Sequence, residues 1–222
     1  MTAGSLPAVT GIVLAAGAGR RLGRPKADVE LGGQRLVDRA VATLRAGGCA
    51  EVLAVLRPEQ AGAAGARTVV NPAPDRGMGS SLRCALAEVA ADPRSAACVV
   101  LLADLVGVRP AEVAAVIERH RAGAAIVAVR RAGQRSHPVL ISRRWYLEFA
   151  AAAVGDQGGR DFFARRLADT SFLDYPDRIS DIDTAEDLSR ALAAEAAQAA
   201  EAAQAAEAAR ASQPPDQPGS AG

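Results

Sequence analysis

Aromatic side chains are scarce in this 222-residue chain, which has one Trp, two Tyr and four Phe, 3% in all. An interior must therefore be filled by the small aliphatic residues that dominate the 50% hydrophobic share, packed in tight layers as where helices lie on a sheet. Cysteine is equally sparse. Cys49, Cys84 and Cys98 are far apart and embedded in apolar periodic segments, a pattern of reduced, buried thiols rather than of disulfides or a metal site. That pattern suits a reducing cytoplasm. A formal charge of +1 supplies no global field to gather nucleic acid or an acidic membrane, so anion binding must come from a local cluster. No apolar run approaches the roughly 20 residues of a membrane span, and MTAGSLPAVT lacks the basic-then-apolar order of a leader. The expectation is a cytoplasmic protein with neither nucleic acid nor membrane as partner.

The rarest residue of consequence is lysine. Of 26 basic residues one is lysine, Lys26, and the rest are arginine. A lone lysine against that background marks a place where a compact ammonium on a flexible stem serves and a wide planar guanidinium does not.

What is present is an alternation. GIVLAA (11–16), EVLAVL (51–56), TVV (68–70), CVVLLA (98–103) and AAIVAV (124–129) read as buried strands. Between them Leu36, Val37, Ala40, Val41 and Leu44 form one amphipathic stripe, Leu82, Ala85, Leu86 and Val89 a second, and Val113, Val116 and Ile117 a third. Strand and helix in turn predict a three-layer, Rossmann-like α/β fold with a mainly parallel sheet. After Val129 an Arg- and Gly-rich loop leads into HPVLIS, a helical stretch through Trp145 and Phe149, and GDQGGRDFFARR; this reads as a small inserted subdomain covering one edge. DRISDIDTAEDL reads as a late strand entering a helix, with Thr184 and Asp187 at capping-box spacing. The expected organisation is a flexible stretch 1–8, a domain 9–191, an Ala/Glu/Gln-rich helical tail 192–211 and a disordered end 212–222. The tail's polar residues recur every third position and drift around the axis, leaving no fixed apolar stripe, so it is assigned no chemistry.

The first strand runs directly into LAAGAGRRLGRPK, at the carboxyl end of a strand where open α/β sheets bind ligands. A P-loop needs GxxxxGK and then Ser or Thr; here Gly23 is followed by Arg24, Pro25, Lys26 and Ala27, which excludes it. A dinucleotide fingerprint needs GxGxxG opening a helix, but Leu22 occupies the last glycine position and Pro25 interrupts any helix there. What remains is a long glycine loop with Arg20, Arg21, Arg24 and Lys26, whose bare backbone can approach a triphosphate and donate N–H groups to it, or else a solvated turn with surface arginines.

The stretch resembles the molybdenum cofactor cytidylyltransferases, within the wider group of MobA-like nucleotidyltransferases. Their loop reads LAAGxSxRMGxxK, matched here at Leu14, Ala15, Ala16, Gly17, Arg21, Gly23 and Lys26, with Gly19 and Leu22 replacing the serine and methionine. The likeness continues through NPAPDRGMGSSL, LLAD, RSHPVL, GDQGGR and DIDTAEDL, covering about residues 9 to 190. It implies that Lys26 and Arg21 act on the phosphates, and that Asp104 holds the Mg²⁺ of the bound triphosphate. Asp104 ends a strand and lies too far before Pro110 to cap the next helix. Asp181 and Asp183 alternate on one face, and either could complete the metal site; Asp183 could equally cap the helix near Thr184.

Further implied nucleotide contacts are the backbone of Leu14, Ala15, Ala16, Gly17 and Ala18 on one side and Asn71, Gly79, Ser80 and Ser81 on the other, where serine could also serve only as a helix cap. Ala16 stands where the guanylyltransferase branch has glycine, which favours cytidine. His137 and Arg160 are implied near the pterin, against plainer roles in strand entry and at a helix start. His120 closes a helix and reads as structural. One departure stands out: where the family has proline two residues after the aspartate, this chain has Leu105, Val106 and Gly107.

The resemblance therefore implies transfer of CMP from CTP to the phosphate of the molybdopterin cofactor with release of pyrophosphate. Mg²⁺ is the expected cofactor, and a molybdenum hydroxylase of the xanthine dehydrogenase type a conceivable recipient. The alternatives are another MobA-like transferase, using GTP or acting on a sugar phosphate or small phosphorylated acid, and a non-catalytic molybdenum cofactor chaperone.

Overall fold

The computed structural model describes residues 8–176 and 179–211. Eleven strands and six α-helices follow in order: β1 (Ala8–Leu14), β2 (Glu30–Leu31), β3 (Gln34–Arg35), α1 (Leu36–Ala46), β4 (Glu51–Leu56), β5 (Arg67–Val70), α2 (Met78–Ala91), β6 (Ser95–Leu102), β7 (Leu105–Val106), α3 (Pro110–Arg121), β8 (Ile126–Arg131), β9 (Gln134–Ser142), α4 (Tyr146–Ala152), α5 (Arg160–Arg165), β10 (Thr170–Tyr175), β11 (Ser180–Asp181) and α6 (Ala185–Ala211).

Seven strands form the main sheet in the order β10-β8-β9-β6-β1-β4-β5. β1, β4, β5, β6, β8 and β10 run one way, and β9 runs the other between β6 and β8. The inner strands are apolar along their whole length because both faces are covered. On one face α1 and α3 bury Val37, Val41, Leu44, Val113, Val116 and Ile117 against Val13, Val99 and Leu101. On the other, α2, α4 and α5 bury Leu82, Leu86, Phe149, Phe162 and Phe163 against Ile12, Leu53 and Val100. The three stripes expected from the sequence are these buried faces, and the layered α/β architecture is as expected.

Two expectations change. The segment after Val129 is not a separate subdomain at an edge: His137 to Ser142 belong to β9, which lies inside the sheet, and α4 and α5 complete the second helical layer. Its run of buried residues from Pro138 onward pays for burial on both faces, which an edge cover would not need. The scarce aromatics gather here, with Phe149, Phe162 and Phe163 ring centroids 5.0 to 5.9 Å apart. The helical tail, in turn, starts earlier than residue 192. One helix runs from Ala185, opened by the capping box: Asp187 Oδ2 accepts from Thr184 N at 2.8 Å and the Asp187 N–H donates to Thr184 Oγ1 at 3.1 Å. Leu188 and Ala191 pack against Val29, Leu31, Leu36 and Ile182, and Glu195 pairs with Arg39. The described side chains beyond Glu195 are exposed. Residues 1–7 and 212–222, expected to be flexible and disordered, lie outside the described residues. Among the described residues no helix is long and apolar enough to cross a membrane.

Phe162 is fully buried and touches both aromatic neighbours and Trp145. Phe162→Ala is expected to lower stability by about 3 to 5 kcal/mol, measured by urea unfolding; a loss under about 1 kcal/mol would refute its place at the centre of this layer.

Candidate active site

A cleft of about 760 Å³ opens at the carboxyl ends of β1, β4 and β6. Three separate stretches of chain supply its charged floor. After β1 the backbone passes through Ala15 to Ala18 into a loop closed by Lys26 N–H donating to Gly17 O at 3.3 Å. Gly19 sits at φ +59°, and a Cβ there would fall 1.9 Å from Arg24 O, so the loop's tightest turn admits glycine. This gives the departure from serine at that position a local cause. Lys26 then opens a short 3₁₀ turn and directs its side chain back past Gly17.

At the end of β6, Asp104 Oδ2 accepts from Lys26 Nζ at 2.5 Å. Asp183 Oδ1 accepts from the same ammonium. Asp183 is brought there by β11, which pairs antiparallel with β7 as Ser180 with Val106 and Asp181 with Leu105, and by Ile182 N–H donating to Asp104 O at 3.0 Å. The departure at Val106 falls within this ladder, opposite Ser180, where proline would carry no N–H. Gly107, at φ +92°, turns the chain away and lies against Ile179. Arg21, largely exposed, reaches within 3.9 Å of the other Asp183 oxygen.

Burial works to lower the Lys26 pKa, but hydrogen bonds and charge from Asp104 and Asp183 outweigh it and hold the ammonium above its ordinary value. Lys26 is therefore charged at neutral pH. Asp181 is raised above the usual carboxylate range, first by burial and then by the charges of Asp104 and Asp183. Its outer side is exposed, and it stands at the edge of the acidic group rather than among the cleft-lining residues. Asp183 does not cap α6; Thr184 and Asp187 do, leaving the Asp183 carboxylate for Lys26.

Leu14, Ala15, Ala16, Gly17, Ala18, Arg21, Lys26, Ser81, Asp104 and Asp183 line the cleft together, as does Arg20. Asn71, Gly79 and Ser80 lie just beneath it. Buried Asn71 donates to Ser80 Oγ at 2.8 Å and Ser81 Oγ at 2.9 Å and accepts from Ala73 N–H, fixing the loop before α2. Gly79 meets the Ala153 carbonyl, which leaves no room for a Cβ. The helix opens at Met78 after Gly77, so neither serine is its cap. His137 and Arg160 stand outside the lining residues, and Arg24 points elsewhere. His120 bonds the Ala124 carbonyl, in keeping with a structural role.

Residues missed in the sequence include Arg57, Met78 and Asp156, all of which line the cleft. Arg57 directly follows β4 and donates to Ala16 O at 3.4 Å and to Asp75 at 3.3 Å, bracing the glycine loop. The strand-end rule that singled out Asp104 would have found it. Asp156 carries no such signal, because only the packing of residues 155–157 against α2 brings it to the cleft.

Among the described residues no group of three or more His, Cys, Asp or Glu side chains is set to hold a metal ion. Asp104 and Asp183 alone converge. Two carboxylates suit Mg²⁺ or Mn²⁺, which take one or two protein carboxylates and complete their shell with phosphate oxygens and water. In this arrangement the Lys26 ammonium stands between the carboxylates that such an ion would share.

Residues 11–170 match the family model of the MobA-like NTP transferase domain. Over 202 residues the chain is 37% identical to a nicotine blue oxidoreductase of Paenarthrobacter nicotinovorans, covering 84% of this chain and 98% of the relative. Among solved structures, a Mycobacterium tuberculosis H37Rv protein in complex with manganese is 27% identical with a TM-score of 0.69, covering 83% of this chain and 98% of that one. Its homologue from Mycobacterium sp. strain JC1 is 30% identical with a TM-score of 0.69, covering 84% and 96%.

Two outcomes follow from the geometry. Lys26→Ala removes the ammonium competing for Asp104 and Asp183, so Mn²⁺ added without nucleotide should bind about tenfold tighter or more, read by the loss of free-ion electron paramagnetic resonance signal; weaker binding would contradict shared carboxylates. His137 has its pKa lowered to about 3, by burial and then by the Arg135 charge. Between that value and the ordinary 6.5 the unfolded chain binds a proton that the folded chain refuses, so stability falls as pH drops through this window. His137→Gln should flatten that part of the urea-unfolding profile between pH 7 and pH 4; an unchanged slope would show that His137 is not the group responsible.

Proposed function

The chain belongs to the MobA-like NTP transferase domain family, and from that premise we propose that it transfers CMP from CTP to the phosphate of the molybdopterin form of the molybdenum cofactor, releasing pyrophosphate. The observation that carries this reading is the Lys26 ammonium held between Asp104 and Asp183 beside a glycine loop carrying Arg20 and Arg21, at the carboxyl end of the sheet. The cytidine preference rests on Ala16 and on the resemblance of the loop to the cytidylyltransferase branch.

In this reading the backbone of Ala15 to Ala18 wraps the phosphates, and Lys26 leaves its carboxylates to neutralise them. Arg21 steadies the charge that grows on the departing pyrophosphate. Asp104 and Asp183 hold Mg²⁺, which supplies charge neutralisation at the phosphates when bound. A phosphate oxygen of the acceptor forms a bond to the α-phosphorus as the bond from that phosphorus to the bridging oxygen breaks, and the electron pair leaves with pyrophosphate. No side chain needs to be modified; catalysis lies in charge placed where the transition state develops it. Arg57, tied to Ala16 O and Asp75, keeps the loop in position.

A second reading rests on the nicotine blue oxidoreductase relative. In it the chain is an oxidoreductase that acts on nicotine blue, as that relative's name states. A third, a carrier that binds the molybdenum cofactor without turnover, is motivated by the altered Leu105–Gly107 stretch.

Pyrophosphate release with CTP, Mg²⁺ and the molybdopterin cofactor, compared with GTP, ATP and UTP, is expected to be fastest with CTP. Lys26→Ala should reduce it by about a hundredfold or more without loss of fold by circular dichroism. Redox turnover of nicotine blue with an added electron donor or acceptor, and no pyrophosphate from any nucleotide, would replace the first reading by the second; cofactor binding with neither reaction would favour the third.

A further inference from the structure

β9 runs against the other strands, so its amino-terminal end lies at the edge of the sheet where the cleft opens. Val100 of β6 pairs with Val139; two residues toward that edge are Leu102, which lines the cleft, and His137. Two residues further along β9 stands Arg135. Its guanidinium stacks on the Phe163 ring, 4.1 Å from the centroid, and is half-buried.

The arginines around it differ in their company. Arg130 pairs with Asp174 and Arg131 with Glu112. Among the described residues no carboxylate or carbonyl accepts a hydrogen bond from Arg135. Arg160, the first residue of α5, likewise lacks a carboxylate partner among them, and it follows cleft-lining Asp156 by four positions. Arg160 stands one helical turn before Phe163, the ring on which Arg135 stacks, so the two guanidinium groups share one flank; Arg135 is held below the usual arginine value by burial and then by the charge of Arg160. His137, kept neutral beside them, offers no negative charge. Two positive groups drawn together, one of them half-buried, are unfavourable by themselves, and an oxyanion between them would reverse that balance.

We infer that Arg135 and Arg160 form an oxyanion seat on the flank of the cleft, built for the phosphate monoester of the acceptor. Two guanidinium forks can hold two phosphate oxygens while the third stays free to face the nucleotide. The stack on Phe163 fixes the plane of Arg135, so the fork is oriented before the anion arrives. The seat stands on the geometry; that its anion is the acceptor's phosphate rests on the transferase reading.

The test uses the full chain carrying Lys26→Ala, in which Asp104 and Asp183 leave the cleft floor acidic and unattractive to phosphate. Inorganic phosphate is titrated by calorimetry. Arg135→Gln or Arg160→Gln on this background should weaken binding about tenfold or more, as expected for loss of a charged hydrogen-bond donor; unchanged affinity in both overturns the seat. Arg160 is exposed, so its variant stays informative should Arg135→Gln disturb the packing on Phe163. In the otherwise natural chain, Arg160→Gln should raise the KM for the phosphorylated acceptor about tenfold while leaving that for the nucleotide unchanged, and an equal rise in both overturns the assignment to the acceptor. Failure of the transferase reading shows separately, as a natural chain that releases no pyrophosphate, and the phosphate titration then still decides the seat.

Discussion

An ammonium shared by two carboxylates holds three distant stretches of this chain at one point. Lys26 comes from the loop after the first strand, Asp104 from the end of the central strand β6, and Asp183 from the approach to the last helix. Each carboxylate alone would repel the other, and the pair is tolerable only with a cation between them. The rest of the local structure serves this meeting. The β7–β11 ladder and the hydrogen bond from Ile182 N–H to Asp104 O set the spacing, and Ile182 is buried with Val29, Leu31 and Leu36 beneath it. The docked first turns of α6 are therefore part of the site's foundation, although the helix carries no group that lines the cleft.

The same arrangement makes the site responsive to what enters it. Lys26 satisfies the two carboxylates. In the transferase reading Asp104 and Asp183 would hold the divalent ion and Lys26 would neutralise the phosphates, so positive charge would be redistributed rather than created. The flexible lysine stem allows that exchange, where a guanidinium fork would be locked by its planar contacts. This gives the lone lysine in an arginine-rich chain a physical reason.

Much of this was legible from residue counts and strand ends. The scarcity of lysine marked Lys26, and the rule that ligands gather beyond strand carboxyl ends marked Asp104. Three amphipathic stripes gave the helical faces. The place of β9 was hidden because a buried strand reads the same whether it enters the centre of a sheet or an edge subdomain, and its direction is set by pairing with both β6 and β8. The roles of Asn71 and Ser80 were hidden for a related reason: their polar groups are consumed by one another, and only packing shows which side chains are left to face the cleft. Arg135 is only the first letter of RSHPVL in the sequence, and it is conspicuous only once its neighbours are known to be paired while no carboxylate among the described residues pairs with it.

The family of the chain and the name of its nicotine blue oxidoreductase relative pull toward different chemistry, and the floor of the cleft bears on which of the two it suits. A site that merely holds phosphates gains nothing from two carboxylates aimed at them, because each raises the cost of bringing negative charge near. Such a site would do better with Lys26, Arg20, Arg21 and the loop backbone alone. Asp104 and Asp183 become useful when a divalent ion must be placed against a phosphate whose charge changes during reaction. Their presence beside Lys26 thus argues for phosphoryl chemistry at the floor.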